Sequence, residues 1–252
     1  ICDRRYGIGA DGVITIKKSN TDIENQNTWI DFVMEYFNAD GSTGSLCGNG
    51  ARCAIKFAYD FKLIDSTKTN FSSNGEIYKG EIIDDQIIKF FPKLPKDIKL
   101  NLKVNAYNQI INSHFIDTGS PHIVIFIDEI LSRRDVFAKR DSPVGMASPL
   151  GGFPKEQSDS NSFFKNINDV PVVEIGREIR YSKMFEPNGT NVNFIQVDKD
   201  KIYIRTYERG VENETYACGT GSIASALILN FIKKIEPPIS LITKGKDELI
   251  ID

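Results

Sequence analysis

The chain has 252 residues, 40% hydrophobic and 26% charged, with a formal net charge of −3 at pH 7 and a sequence pI of about 5.6. That is room for one large globular domain or two ordinary ones, and the acidic balance argues against nucleic acid or an anionic membrane surface as a partner. No apolar run approaches the roughly 20 residues needed to cross a bilayer, and four cysteines do not make a disulfide scaffold, so a reducing cytoplasm fits best.

In chain order, "GVITI" (Gly12–Ile16) and "WIDFVMEYF" (Trp29–Phe37) predict strands, being rich in β-branched and aromatic residues. Gly48 to about Phe61 predicts a helix, because Ala51, Ala54, Ile55 and Ala58 recur at i, i+3, i+4 and i+7. Turn residues within Ser72–Glu76 and Ile82–Ile88 predict hairpins. "FFPKLPK" (Phe90–Lys96) carries two prolines and reads as the linker, which divides the chain into 1–94 and 95–252. "HFIDTGSPHIVIFID" (His114–Asp128) predicts a strand, a Gly-Ser-Pro turn and a second strand. From Arg140 to about Asn168, Ser, Pro, Gly, Asn and Lys dominate, and the segment reads as a mobile surface insertion. Asn191–Val197 and Lys201–Glu208 predict a hairpin. Gly219 to about Ile232 then predicts a helix that is apolar nearly all round, and therefore buried.

Two stretches share a local pattern. "GSLCGNGARC" (Gly44–Cys53) and "YACGTGSIAS" (Tyr216–Ser225) both place Cys-Gly-x-Gly at the start of a predicted helix. At the offset that superposes Cys47 on Cys218, Tyr36 meets Tyr207, Gly48 meets Gly219 and Gly50 meets Gly221. Identities are few, but the order of elements matches, which predicts two similar α/β halves facing each other across a cleft.

A thiol just before a helix sits among unpaired N–H groups at the positive end of the dipole, a setting that favours thiolate. Glycines there let backbone N–H groups approach a carboxylate closely. Two such sites face to face would grip one carboxylate and put a thiol on each side of the adjacent carbon. One cysteine as thiolate could then remove the α-proton while the other returns a proton to the opposite face, with no cofactor. Donors aimed at the carboxylate would stabilise the carbanion-like charge. Against this stands the common role of a free cysteine as a small buried hydrophobe. That reading is kept for Cys2 and Cys53, and a structural disulfide between Cys47 and Cys218 is a further alternative. No Cys-x-x-Cys exists and His114 and His122 are the only histidines, so no metal site is expected.

"RRYGIGADGVI" (Arg4–Ile14), "FNADGSTGSLCGNGARC" (Phe37–Cys53), "GSPH" (Gly119–His122), "GTNVNF" (Gly189–Phe194) and "YERGVENETYACGTGS" (Tyr207–Ser222) resemble diaminopimelate epimerases. The paired Cys-Gly-x-Gly alone would also fit proline racemases and phenazine-biosynthesis-type isomerases. "NADGS" with "YERG" narrows the resemblance. It implies an α+β fold of two pseudo-symmetric domains, each a barrel-like, mostly antiparallel sheet around a central helix. It implies a homodimer and conversion of LL- to meso-diaminopimelate without pyridoxal phosphate or other cofactor, in lysine and peptidoglycan biosynthesis. It implies Cys47 and Cys218 as catalytic thiols, and Gly48, Asn49, Gly219 and Thr220 as the carboxylate cradle. Asn38, Ser120, Asn191, Glu208 and Arg209 follow as substrate contacts, and His122, with Glu208, as tuning a cysteine. A planar guanidinium at Arg209 suits the distal carboxylate, although adjacent residues on a regular strand point to opposite faces, so Glu208 and Arg209 could both reach a ligand only from an irregular backbone.

Three departures accompany the resemblance. The chain starts at Ile1 rather than Met, which implies a processed, trimmed or incomplete N-terminus. The family's opening strand and His-Gly-x-Gly-Asn-Asp-Phe motif would lie before it, and further closing strands after Asp252. Ser120 stands where the family often has asparagine. The other readings are an epimerase of another amino acid such as proline or hydroxyproline, and a redox or binding protein whose cysteine pair forms a regulatory disulfide.

Overall fold

The computed structural model describes residues 1–23, 28–44, 46–130 and 163–252. The first sheet starts with two antiparallel strands, β1 (Gly12–Ile23) and β2 (Thr28–Asn38). The chain then enters helix α1 (Gly48–Asp60) and returns as β3 (Lys68–Ser73), parallel to β2. A tight turn at Asn74-Gly75, both at positive φ, leads into β4 (Glu76–Ile82), and β5 (Ile88–Phe91) closes the order β1-β2-β3-β4-β5. Asn-Gly is the pair that such a two-residue hairpin loop favours. The sheet curls about α1, which touches both edge strands as well as β2 and β4. Its apolar stripe, Ala51, Ala54, Ile55 and Ala58, is buried against Phe32, Met34 and Phe71. The small alanines let the helix lie close to the sheet.

The second sheet holds β6 (Lys96–Ala106), β7 (Gln109–Asp117), β8 (Pro121–Phe126), β9 (Asn191–Asp198), β10 (Lys201–Glu208), β12 (Ile239–Ile242) and β13 (Glu248–Ile251), with the short β11 (Asn213–Thr215) paired to β10. Most pairs are antiparallel; β8 with β9 and β10 with β12 are parallel. Each face carries a helix. α3 (Gly219–Lys233) packs on one face with Val124, Phe126, Ile195 and Ile204, and α2 (Val172–Arg180) packs on the other with Ile123, Ile125, Val192 and Phe194. Burial on both faces explains why β8 is an unbroken apolar run rather than an alternating one.

The two halves repeat a unit. β1-β2-α1-β3-β4 and β9-β10-α3-β12-β13 have the same order, the same parallel crossover through a helix, and the same antiparallel flanks. The chain therefore folds as two sheet bodies of mixed α+β type.

Two sequence expectations need amending. Residues 140–162 of the expected insertion lie outside the described residues, but its end is not surface. Phe164 and Ile167 are 7% and 4% exposed and belong to the core under α2. Their polar neighbours hide them in a composition-based reading, yet Asn166 simply caps the turn there, its side chain accepting the Asn168 N–H at 2.9 Å. Helix α2 has no counterpart in the sequence expectations, although Val172, Ile175 and Ile179 form a buried stripe at helical spacing. Among the described residues no helix is long and apolar enough to cross a membrane.

Candidate active site

Both cysteines of the repeated motif cap helices. Cys47 precedes α1 with φ −92° and ψ 112°, and Cys218 precedes α3 with φ −126° and ψ 110°. Their carbonyls start the two helices, accepting from Ala51 at 2.8 Å and from Ser222 at 2.9 Å. The Cys47 sulfur accepts the Gly50 N–H at 3.3 Å. The helix starts abut: a methyl group added to Gly48 would lie 3.7 Å from the Gly219 Cα. Between the two sheet bodies lies a cleft of about 760 Å³, lined by both cysteines and by Gly48, Asn49, Gly219 and Thr220.

The other expected contacts reach the same cleft. Asn38 lines it, its amide donating to Ser42 Oγ at 3.0 Å. Ser120 and Asn191 line it together. Asn191 Nδ2 donates to Ser120 Oγ at 2.9 Å and to the Pro121 carbonyl at 3.0 Å, while its Oδ1 accepts the Arg209 N–H at 2.8 Å. Asn191 thus holds the backbone from which Arg209 projects. The conflict over Glu208 and Arg209 is resolved by the end of β10: Glu208 is its last residue and Arg209 begins a turn that passes through Gly210, at φ +92°, and closes where the Glu212 N–H donates to the Glu208 carbonyl at 2.9 Å. Both residues therefore line the cleft.

His122 is the exception. It is fully buried and does not line the cleft. Its Nε2 lies 2.9 Å from Thr220 Oγ1, and Thr220 Oγ1 lies 3.6 Å from the Cys218 sulfur. Burial, reinforced by the Arg209 charge, pushes His122 down to about 3, so the ring is neutral at any working pH.

The electrostatics differ from what the helix starts alone suggest. Burial pushes both thiols above the ordinary range. For Cys47 the Gly50 N–H opposes it, the Glu208 carboxylate adds to it, and the Arg52 guanidinium opposes it. For Cys218 the Glu208 carboxylate adds to burial, and the Thr220 hydroxyl opposes it. Desolvation of an anion outweighs a few N–H groups here, so both groups rest as thiols at neutral pH. Glu208 is itself raised, by burial first, with the adjacent Thr215 side chain pulling the other way.

A model of the diaminopimelate epimerase family matches residues 1–90 and 159–245. The chain belongs to the diaminopimelate epimerase family. Its members are isomerases. A diaminopimelate epimerase of Chlorobaculum tepidum is 34% identical over 230 residues, covering 90% of this chain and 70% of that one. One from Aquifex aeolicus is 32% identical, with 100% of this chain and 75% of that one covered. Among solved structures, a Bacillus anthracis protein of the phenazine-biosynthesis PhzF family superposes with a TM-score of 0.60 at 12% identity, covering 94% of this chain and 72% of that one. A hydroxyproline epimerase from Agrobacterium vitis, with trans-4-hydroxy-L-proline bound, gives 0.59 at 13% identity, covering 95% and 67%. At such identities these two structures speak for the two-domain fold alone.

Two residues beyond the expected set act on the site. Arg52 Nη2 donates to Asn49 Oδ1 at 2.6 Å, and Asn49 Nδ2 donates to the Ala217 carbonyl at 3.1 Å, tying the start of α1 to the residue before Cys218. Arg52 stands one helical turn after Gly48, a spacing that could have flagged it. Asn193 contacts His122 from the neighbouring strand, its Nδ2 lying 3.1 Å from Nδ1. Asn191 and Asn193 at i and i+2 share a strand face, and that too is visible in the sequence.

Proposed function

We propose that the chain catalyses the epimerisation of LL- to meso-diaminopimelate by a two-thiol reaction without pyridoxal phosphate, in the cytoplasmic route to lysine and peptidoglycan. The observation that carries this reading is the pair of cysteine-capped helix starts abutting at Gly48 and Gly219 in one cleft. A carboxylate held there would meet the N–H groups of both helices, with Cys47 and Cys218 flanking its α-carbon. The substrate's α-ammonium next to the thiols would offset part of the burial penalty and favour one thiolate. That thiolate takes the α-proton as the C–H bond breaks, and the electron pair spreads into the carboxylate, where the helix N–H groups stabilise it. The other thiol gives its proton to the opposite face, so the two sulfurs exchange protonation states. In this reading Arg209 takes the distal carboxylate bidentately, Glu208 the distal ammonium, and residues 1–94 and 95–252 act as the two domains that bound the cleft. The protein acts as a homodimer, which light scattering would test.

The test is α-proton exchange in D₂O with diaminopimelate, proline and hydroxyproline as separate substrates. The reading expects deuterium in diaminopimelate alone, and loss of epimerisation in both Cys47→Ala and Cys218→Ala. Full epimerisation by both single variants would sink the two-thiol reaction. Incorporation into proline or hydroxyproline instead would move the substrate class. A regulatory disulfide would show a defined reduction potential and no exchange.

A further inference from the structure

Behind Cys218 runs a chain of hydrogen bonds whose direction is fixed at its far end. Asn193 is fully buried on β9. Its Oδ1 accepts the Thr206 hydroxyl at 3.0 Å, and its Nδ2 lies 2.9 Å from the Ile123 carbonyl. A flipped amide would put Oδ1 against that carbonyl oxygen, two acceptors facing each other, so this orientation is determined by its partners. The second Nδ2 hydrogen then points at His122 Nδ1, 3.1 Å away. An N–H donor there requires a lone pair on Nδ1. The proton of the neutral ring must sit on Nε2, where it faces Thr220 Oγ1 at 2.9 Å. Thr220 accepts from the ring and keeps its own hydroxyl hydrogen for the Cys218 sulfur at 3.6 Å.

We infer that Asn193 is a positioning residue that fixes His122 as the Nε2–H tautomer, so that the Thr220 hydroxyl donates toward Cys218 and favours its thiolate. In the other tautomer Nε2 would be an acceptor and would draw the Thr220 hydrogen away from sulfur. Gly221 belongs to the same device: a Cβ at that position would lie 2.3 Å from Asn193 Oδ1, so the second glycine of this motif makes room for the amide. His122 is then neither acid nor base, since Nδ1 is occupied and the ring is sealed from solvent. The titratable and charged groups that act on Cys218 and His122 from other sides are Glu208, Cys47 and Arg209.

This inference rests on Cys218 acting as a thiolate in the proposed reaction, but its test needs no substrate. Nitrogen-15 NMR reads the tautomer directly. With His114 and His122 the only histidines, a His114→Gln sample assigns the signals. Cys218 alkylation by iodoacetamide against pH, read by peptide mass spectrometry, reports its ionisation. The wild type should show the proton on Nε2 throughout pH 5–9. Thr220→Val should leave that tautomer in place, because Asn193 sets it, yet slow Cys218 alkylation about tenfold at fixed pH, the loss expected for one hydrogen bond to a charged group. Asn193→Leu should lose the single tautomer and slow alkylation in the same direction. If that variant does not fold, the wild type and Thr220→Val carry the test. A proton on Nδ1 in the wild type, a tautomer that switches in Thr220→Val, or unchanged alkylation in Thr220→Val would overturn the inference. Failure of the proposed function would appear instead as absent α-proton exchange in a protein whose tautomer and alkylation behave as stated.

Discussion

The four motif glycines are not equivalent, and alanine substitution should separate two reasons for having them. At Gly221 the new Cβ would lie 2.3 Å from Asn193 Oδ1, an atom held on a buried amide by Thr206, Ile123 and His122. Overpacking of this kind costs about 1–3 kcal/mol, and displacing Asn193 sacrifices hydrogen bonds worth about 1 kcal/mol each. Better helix propensity returns at most about 1 kcal/mol. With all three hydrogen bonds lost, the net cost of Gly221→Ala is about 3–5 kcal/mol, which for a protein of this size lowers the melting midpoint by on the order of 10 °C. At Gly48 the nearest atom would be the Gly219 Cα at 3.7 Å, an ordinary contact. Gly48→Ala should therefore keep wild-type stability and lose activity, because its methyl group stands between the helix starts where a carboxylate would lie. Calorimetry and the exchange assay, run on both variants, measure this. Wild-type stability in Gly221→Ala, or wild-type kcat/KM in Gly48→Ala, would refute the reasoning.

Alkylation of the folded protein at pH 7 should mark the exposed Cys53 first, the half-buried Cys47 next and the buried Cys218 last; peptide mapping over time checks the order, and an early Cys218 would contradict the buried, thiol-form site. Arg52→Met removes the donor that orients Asn49 and a charge that favours Cys47 thiolate. It should lower kcat/KM about tenfold and slow Cys47 alkylation, with Arg52→Lys restoring the charge effect but not the fork geometry. The Glu214 side chain is 5% exposed and paired with Arg205 through two bonds of 2.6 and 2.7 Å. Burial pushes its carboxyl up, but Arg205 and Lys244 together outweigh that and hold it below the usual range. A depressed carboxylate stabilises the fold above its unfolded value of about 4.3 and loses that contribution as pH falls through the folded value. Glu214→Gln should cost about 3 kcal/mol at pH 7 and remove this part of the acid-side loss, as urea titrations at pH 7 and below pH 4 would show.

The repeated unit was legible because its signals are local. Alanine spacing marks α1, an Asn-Gly pair marks the β3–β4 turn, and Cys-Gly-x-Gly marks both helix starts. What stayed hidden depends on contacts between distant segments. Phe164 and Ile167 sit among polar residues, and only their packing under α2 places them in the core. Nothing near Gly221 in sequence announces Asn193, which comes from a strand 28 positions earlier. The thiol acidity suggested by a helix start reverses once burial is known, because desolvation depends on the whole cleft and not on the capping residue. The irregular backbone demanded by Glu208-Arg209 is supplied by a strand end, foreshadowed by the Gly210 that follows.

The repeated unit presents two similar helix starts but not two similar thiols. Where Gly50 lacks a Cβ, the space holds Ile14 and Met34; where Gly221 lacks one, it holds Asn193. The same glycine thus opens onto hydrocarbon in one half and onto a polar relay in the other. Cys47 has the Gly50 N–H and the Arg52 charge, whereas Cys218 has the Thr220 hydroxyl backed by His122. Glu208 raises both thiols and so acts on their sum. Arg52 and Thr220 each act on one and so set the difference. In the proposed two-thiol reaction, which leaves the proton on the opposite sulfur after every turnover, the difference would set which of the two single-thiolate forms is favoured. It would therefore set which of the two substrate isomers meets a ready base. Weakening the Cys218 relay should shift the small thiolate fraction of the free enzyme toward Cys47, slowing the direction that starts from Cys218 more than the one that starts from Cys47. The equilibrium constant, a property of the substrates alone, forbids any change in the ratio of the two kcat/KM values. The asymmetry must then appear in the separate kcat and KM terms, measured from each isomer in turn.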